Sequence, residues 1–111
     1  LVGIRIGLVN MKEILVKVHK AYRNVVAMCD CDLIDKCFID KNMQLNLKGS
    51  FFKGEKKDFK EIKKIFDEMV MEDSTFNIVG KSSCSIAKEL GLIKDDGIIF
   101  IDGVPVALVL M

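Results

Sequence analysis

A chain of 111 residues, half of them apolar and 30% charged, is long enough to bury one core and too apolar to remain disordered. Seventeen basic against sixteen acidic side chains leave a net charge of +1, which excludes a global field drawing the molecule to nucleic acid or a membrane. The longest apolar run, Val104 to Met111, is too short to cross a bilayer as a helix.

The first ten residues, LVGIRIGLVN, carry no amphipathic pattern and no small-residue cleavage site. The expectation is an extension upstream of a natural start at Met11, with residues 11–111 forming one α+β domain. From Ile14 the chain alternates: Ile14, Val16 and Val18 face one way, Lys17 and His19 the other, as in a half-buried strand. Residues 21–24 are the turn, and Val25 to Cys29 returns as a second strand. His19 is the sole histidine, and without a visible nucleophile or carboxylate partner it reads as a surface residue rather than a base.

The cysteines stand at 29, 31, 37 and 84. A core of this size needs no bridges, so they are expected as reduced thiols of a cytoplasmic protein. Cys29 and Cys31 would share a strand face as a conceivable pair of soft ligands, but the C-x2-C knuckle is absent and neither metal nor cofactor is expected. Asp30, Asp32, Asp35 and Asp40 invite a calcium loop. The Gly and closing Glu that such a loop needs are missing in register. Met43, Leu45 and Leu47 alternate as a third strand. Phe51 and Phe52 follow in a loop, either as a base-stacking platform or tucked onto the core.

Between Lys48 and Lys64, seven lysines against three carboxylates leave a local balance of +4. Asp58 with Glu61 is a capping box that opens a helix near Phe59. Its apolar stripe is Phe59, Ile62, Ile65, Phe66, Met69 and Val70, so the lysines line the wet face. That face is either merely solvated or placed for phosphate contact. GKSS at 80–83 lacks the Gly five positions earlier that a P-loop requires, because Thr75 stands there. What remains is a helix from Ser82 or Ser83 to Leu90, capped by one of those serines and closed by Gly91, with free N–H groups near Lys81. Ile98–Ile101 and Val104–Leu110 then pair through Asp102-Gly103. Pro105, which cannot donate to a ladder, should face an edge or loop. The expected architecture is a small, mostly antiparallel sheet of about five strands, two hairpins plus one strand, with two helices packed on it.

The segments VKVHK, VVAMCDCDLIDKCF, FNIVGKSSCSIAKELGLI and IIFIDGVPVALV resemble the archaeal domain-of-unknown-function family number 424. Cys29-Asp30, Lys36, Asn77, Gly80 and Gly103-Val104-Pro105 fit its short motifs. Asp35 stands where Gly is usual, and Val106 and Leu108 replace a His and a Gln. The resemblance implies an archaeal protein without an assigned activity, catalogued in places as RNA-binding. The nucleic-acid contacts expected on that basis are Lys36, Lys56, Lys57, Lys60, Lys64, Lys81, Asn77 and Gly80, with RNA or the translation machinery as partner. The alternatives are a protein-interaction module using the apolar C-terminal hairpin, or an enzyme built on Asp30, Lys36 and Asn77, for which no nucleophile–base pair is visible.

Overall fold

The computed structural model describes residues 13–110; the expected extension at 1–10 lies outside them. Strands β1 (Ile14–His19) and β2 (Val25–Asp30) form the first hairpin, with Ile14 opposite Asp30. A 3-10 turn at Cys31–Leu33 leads into a small separate hairpin, β3 (Cys37–Asp40) with β4 (Met43–Asn46). Strand β5 (Glu55–Lys57) returns to the free edge of β1. Helix α1 (Phe59–Met71) then carries the chain to β6 (Thr75–Val79), which lies parallel to β2. Helix α2 (Lys81–Glu89) follows, and β7 (Ile99–Ile101) and β8 (Val104–Leu110) close the sheet in the order β5-β1-β2-β6-β8-β7.

Local chemistry sets these elements. The Asp58 carboxylate accepts from the Glu61 N–H at 2.8 Å, and the Glu61 carboxylate accepts from the Asp58 N–H at 3.0 Å, so two orphan donors of α1 are satisfied at once. The helix buries Ile62, Phe66 and Met69, and Phe66 meets Phe76 edge-on at 5.2 Å. Asp102 and Gly103 both take positive φ, 51° and 80°, as the tight turn between β7 and β8 demands.

The sheet is buried on both faces. Ile14, Val16, Val26, Met28, Phe76 and Ile78 pack under the two helices. Cys29, Val79 and Val104 pack under the β3–β4 layer through Leu47, Leu45, Phe38 and Phe52. This coverage explains why β2 is almost wholly buried although its hairpin partner β1 alternates.

The expected sheet needs correction in three places. It has six strands and is mixed, because β2 and β6 run parallel. Strand β6, absent from the expected set, carries Asn77 mid-strand between Ala27 and Leu108. The strand at 43–46 does not join the main sheet but pairs with β3, inside what looked like an Asp-rich loop. Its turn places Lys41 at φ 57° without any glycine to announce it. Cys31 falls in the 3-10 turn, so it does not share a strand face with Cys29.

Removing the cap of α1 by Asp58→Ala should cost about 1 kcal/mol, read as a lower denaturation midpoint with unchanged slope. Asp35 has φ 68°, at the position where the resemblance has Gly. Asp tolerates that region but does not prefer it. Asp35→Gly should therefore leave stability equal or higher, whereas Asp35→Ala should lower it by about 1 kcal/mol in the same measurement.

Candidate functional site

The carboxyl ends of the two parallel strands, where open α/β sheets place their ligands, carry Asp30 and Gly80. The Asp30 carboxylate is 3% exposed and lies at the start of α2. Oδ2 accepts from the Ser82 N–H at 3.0 Å, while Oδ1 accepts from the Ser83 N–H at 2.8 Å and the Ser83 hydroxyl at 2.7 Å. The anion site foreseen at this helix start is thus occupied by the protein's own carboxylate. Neither serine caps the helix: the N-cap is Gly80 and makes no side-chain hydrogen bond. Negative charge at the positive end of a helix is favourable, and hydrogen bonds to a charged acceptor are about twice as strong as neutral ones.

Gly80 is required by this contact. It takes φ 109°, and a Cβ there would collide with the Asp30 carboxyl group. Its N–H donates to the Pro105 carbonyl at 2.9 Å, and its own carbonyl accepts from the Cys84 N–H at 2.9 Å as the first bond of α2. Pro105 lies within β8 rather than in a loop, at the end of its ladder with β6. The donor it lacks would have faced Gly80, whose carbonyl already serves the helix. The Cys-Asp, Gly80 and Gly103-Val104-Pro105 motifs meet here, around a cleft of about 460 Å³ that Asp32, Lys81 and Asp102 also line.

Two thiols flank this carboxylate. Burial, with the Asp30 charge adding to it, pushes Cys29 up to about 12, and the same causes in the same order push Cys84 up to about 11. Burial thus disfavours the reactive thiolate form of both, while Cys37 is exposed. Among the described residues no group of three His, Cys, Asp or Glu is placed to hold a metal ion.

The expected nucleic-acid contacts fall in three places. Lys56 and Lys57 end β5, and Lys60 and Lys64 follow on α1, all from one continuous segment. Gly80 and Lys81 belong to the end of the parallel pair, Gly80 buried and Lys81 exposed. Lys36 and Asn77 lie apart from α1. Lys36 exchanges backbone bonds with Leu33 and Leu47 in the β3–β4 layer, and Asn77 is half-buried in β6. Carboxylates already meet part of the lysine set: Lys56 lies 2.9 Å from Glu13, and Lys57 lies 3.4 Å from Glu55 and 3.9 Å from Glu61. The hydrogen bond to Glu13 and its charge hold Lys56 above the usual lysine range. Lys60, Lys64, Lys36 and Lys81 are exposed, and among the described residues no carboxylate pairs with them.

Comparison with known proteins follows the same outline. A family model described as "Protein of unknown function (DUF424)" matches residues 17–111. The chain is similar to an uncharacterized conserved protein from Methanopyrus kandleri known by crystal structure, at 26% identity and a TM-score of 0.76, over 88% of this chain and 92% of that one. No curated protein matches.

Two measurements test the capped end. Asp30→Ala should cost about 3 kcal/mol or more, because it leaves two helix N–H groups and the Ser83 hydroxyl without a buried acceptor, and Ser83→Ala about 1 kcal/mol. The raised thiols set a pH dependence. An unfolded thiol ionises near 9 while the folded ones stay neutral, so their stabilising contribution is complete below pH 9 and falls as pH rises toward 11 and then 12. Unfolding midpoints should drop over that window, and the drop should shrink in Cys29→Ala.

Proposed function

The chain belongs to the DUF424 family, and we propose that it is a non-catalytic RNA-binding protein whose contact surface is the lysine-bearing side of β5 and α1. One observation carries this reading. Lys60 and Lys64 are four residues apart on the exposed side of α1, in its first half, with no carboxylate paired to either among the described residues. That arrangement is unfavourable for the fold twice over. Like charges at this spacing repel, and Lys60, in the first turn, opposes the helix dipole, each by some tenths of a kcal/mol. An anion bound across the pair relieves both costs.

Lys57, opposite Ile14 on the helix face of β5, extends this surface, since its exposed carboxylate partners compete only weakly with phosphate; Lys56, opposite Leu15, points to the other face of the sheet. Lys81 adds a cation at the neighbouring helix start. Lysine, a flexible point charge, suits contact with the phosphate backbone rather than with bases. The surface fits sequence-independent binding to RNA, alone or within the translation machinery.

A second reading rests on a different observation. Ile99, Phe100, Leu108 and Leu110 of the final hairpin are 52%, 58%, 59% and 72% exposed, which suits a protein partner that covers apolar surface.

Titration of a labelled RNA oligonucleotide across a series of salt concentrations separates the two. The RNA reading expects log affinity to fall linearly with log salt, by about 0.7 per phosphate contacted on a single strand. Lys60→Glu with Lys64→Glu should weaken binding by on the order of tenfold or more and flatten that slope. Glu is favoured in the first turn, but the reversal keeps two like charges at this spacing. A thermal melt of the double variant therefore accompanies the titration and should show a folded chain. Binding that is absent, or that ignores salt and the charge reversal, rules the RNA reading out and leaves the hairpin reading.

A further inference from the structure

The loop between β4 and β5 separates the two phenylalanines. Phe52 packs with Leu47 and Val79 in the second core cluster. Phe51 stays 42% exposed and lies flat on His19, ring centroids 4.5 Å apart and planes 12° from parallel. Burial therefore accounts for Phe52 and not for Phe51. The Phe51 and Phe52 rings stand at 80° to each other with centroids 4.9 Å apart.

The loop backbone is held from β1. The Lys17 ammonium donates to the Ser50 carbonyl at 3.0 Å, and His19 Nε2 lies 2.9 Å from the Phe51 carbonyl. A turn bond from the Lys53 N–H to Ser50 closes the loop tip. Gly54 fixes its far end, because a Cβ there would strike the Val16 backbone. The aromatic pair is thus preset, and ordering it on binding costs little.

A groove of about 490 Å³ runs along this edge, between β1, β5 and α1, and Lys17, Lys53 and Lys57 line it with Glu55. Lys53 is paired with Asp35 at 2.9 Å, and Lys57 with Glu55 and Glu61. Lys17 bonds to a neutral carbonyl, and among the described residues no carboxylate pairs with it. The groove lies along the edge of the sheet that carries the stack and reaches α1 at Ile65. Phosphates held by Lys17 and along the groove would bring a base of the same strand to the exposed part of the Phe51 ring.

From this arrangement we infer that the His19–Phe51 stack is a platform for an unpaired nucleobase, and that the RNA recognised is single-stranded. The inference rests on the RNA reading above and adds the class of RNA. A base in a duplex is already stacked on both sides and cannot take the position, whereas every unpaired base has a π-face to offer.

The test compares a labelled oligouridine with a blunt RNA duplex of the same length, using the full chain. The wild type should bind oligouridine more tightly than the duplex. Phe51→Ala should weaken oligouridine binding by about five- to a hundredfold, leaving duplex binding and the salt slope unchanged. Phe51→Trp, which keeps a stacking surface, should retain or strengthen it. Oligouridine binding unaffected by Phe51→Ala overturns the platform. So does an equal loss on both RNAs, since Phe51 would then only hold the loop and its lysines in place. If the lysine reversals act and Phe51→Ala does not, the platform alone falls; if the wild type binds neither RNA, both readings fall.

Discussion

The Asp30 carboxylate ties the sheet to the second helix. It ends β2, lies opposite Ile14 across the first hairpin, and takes the first free N–H groups of α2 together with the Ser83 hydroxyl. A buried carboxylate is costly unless each lone pair finds a donor. Here the cost is met by the one kind of donor set that also gains from negative charge, the start of a helix. The requirement then spreads to its neighbours. Gly80 has to lack a Cβ, its carbonyl has to begin the helix, and the strand beside it can accept a proline at that level because no ladder donor is needed there.

This arrangement also decides what the end of the sheet does chemically. In many open sheets a phosphate occupies the place where strand passes into helix. The GKSS segment of this chain has that outline, yet an internal anion fills the position. An exogenous anion would have to meet side-chain cations elsewhere, such as Lys60 and Lys64 on α1. The proposed binding surface is separate from this fold-determining interaction, so the first can be altered without endangering the second.

Much of this was readable from the residues. The capping box at Asp58, the stripe along α1, the Gly91 stop and the Asp102-Gly103 turn are local signals, and the structure has each where its chemistry puts it. What escaped is non-local. Parallel pairing of β2 with β6 depends on a crossover of many residues and leaves no mark in either strand, and Asn77 disguises one of them. The β3–β4 hairpin turns on Lys41 in an unusual backbone region. Asp30 was visible as an acid but not as a cap, because its partners lie more than fifty residues away in sequence. Lys17 and His19 were correctly set on one face of β1, and only the folded loop shows what that face holds.

Both outer strands of the main sheet, β5 and β7, are three residues long. A foreign chain that tried to extend the sheet at either border would gain only one or two main-chain bonds before running out of template. At the β7 border the Asp102 N–H is moreover engaged by the Asp40 carboxylate of the small hairpin at 3.1 Å. The apolar side chains of the last hairpin therefore stay available to solvent without offering a seed for fibrillar growth. Any neighbour that settles on them has to do so by surface fit rather than by continuing the ladder.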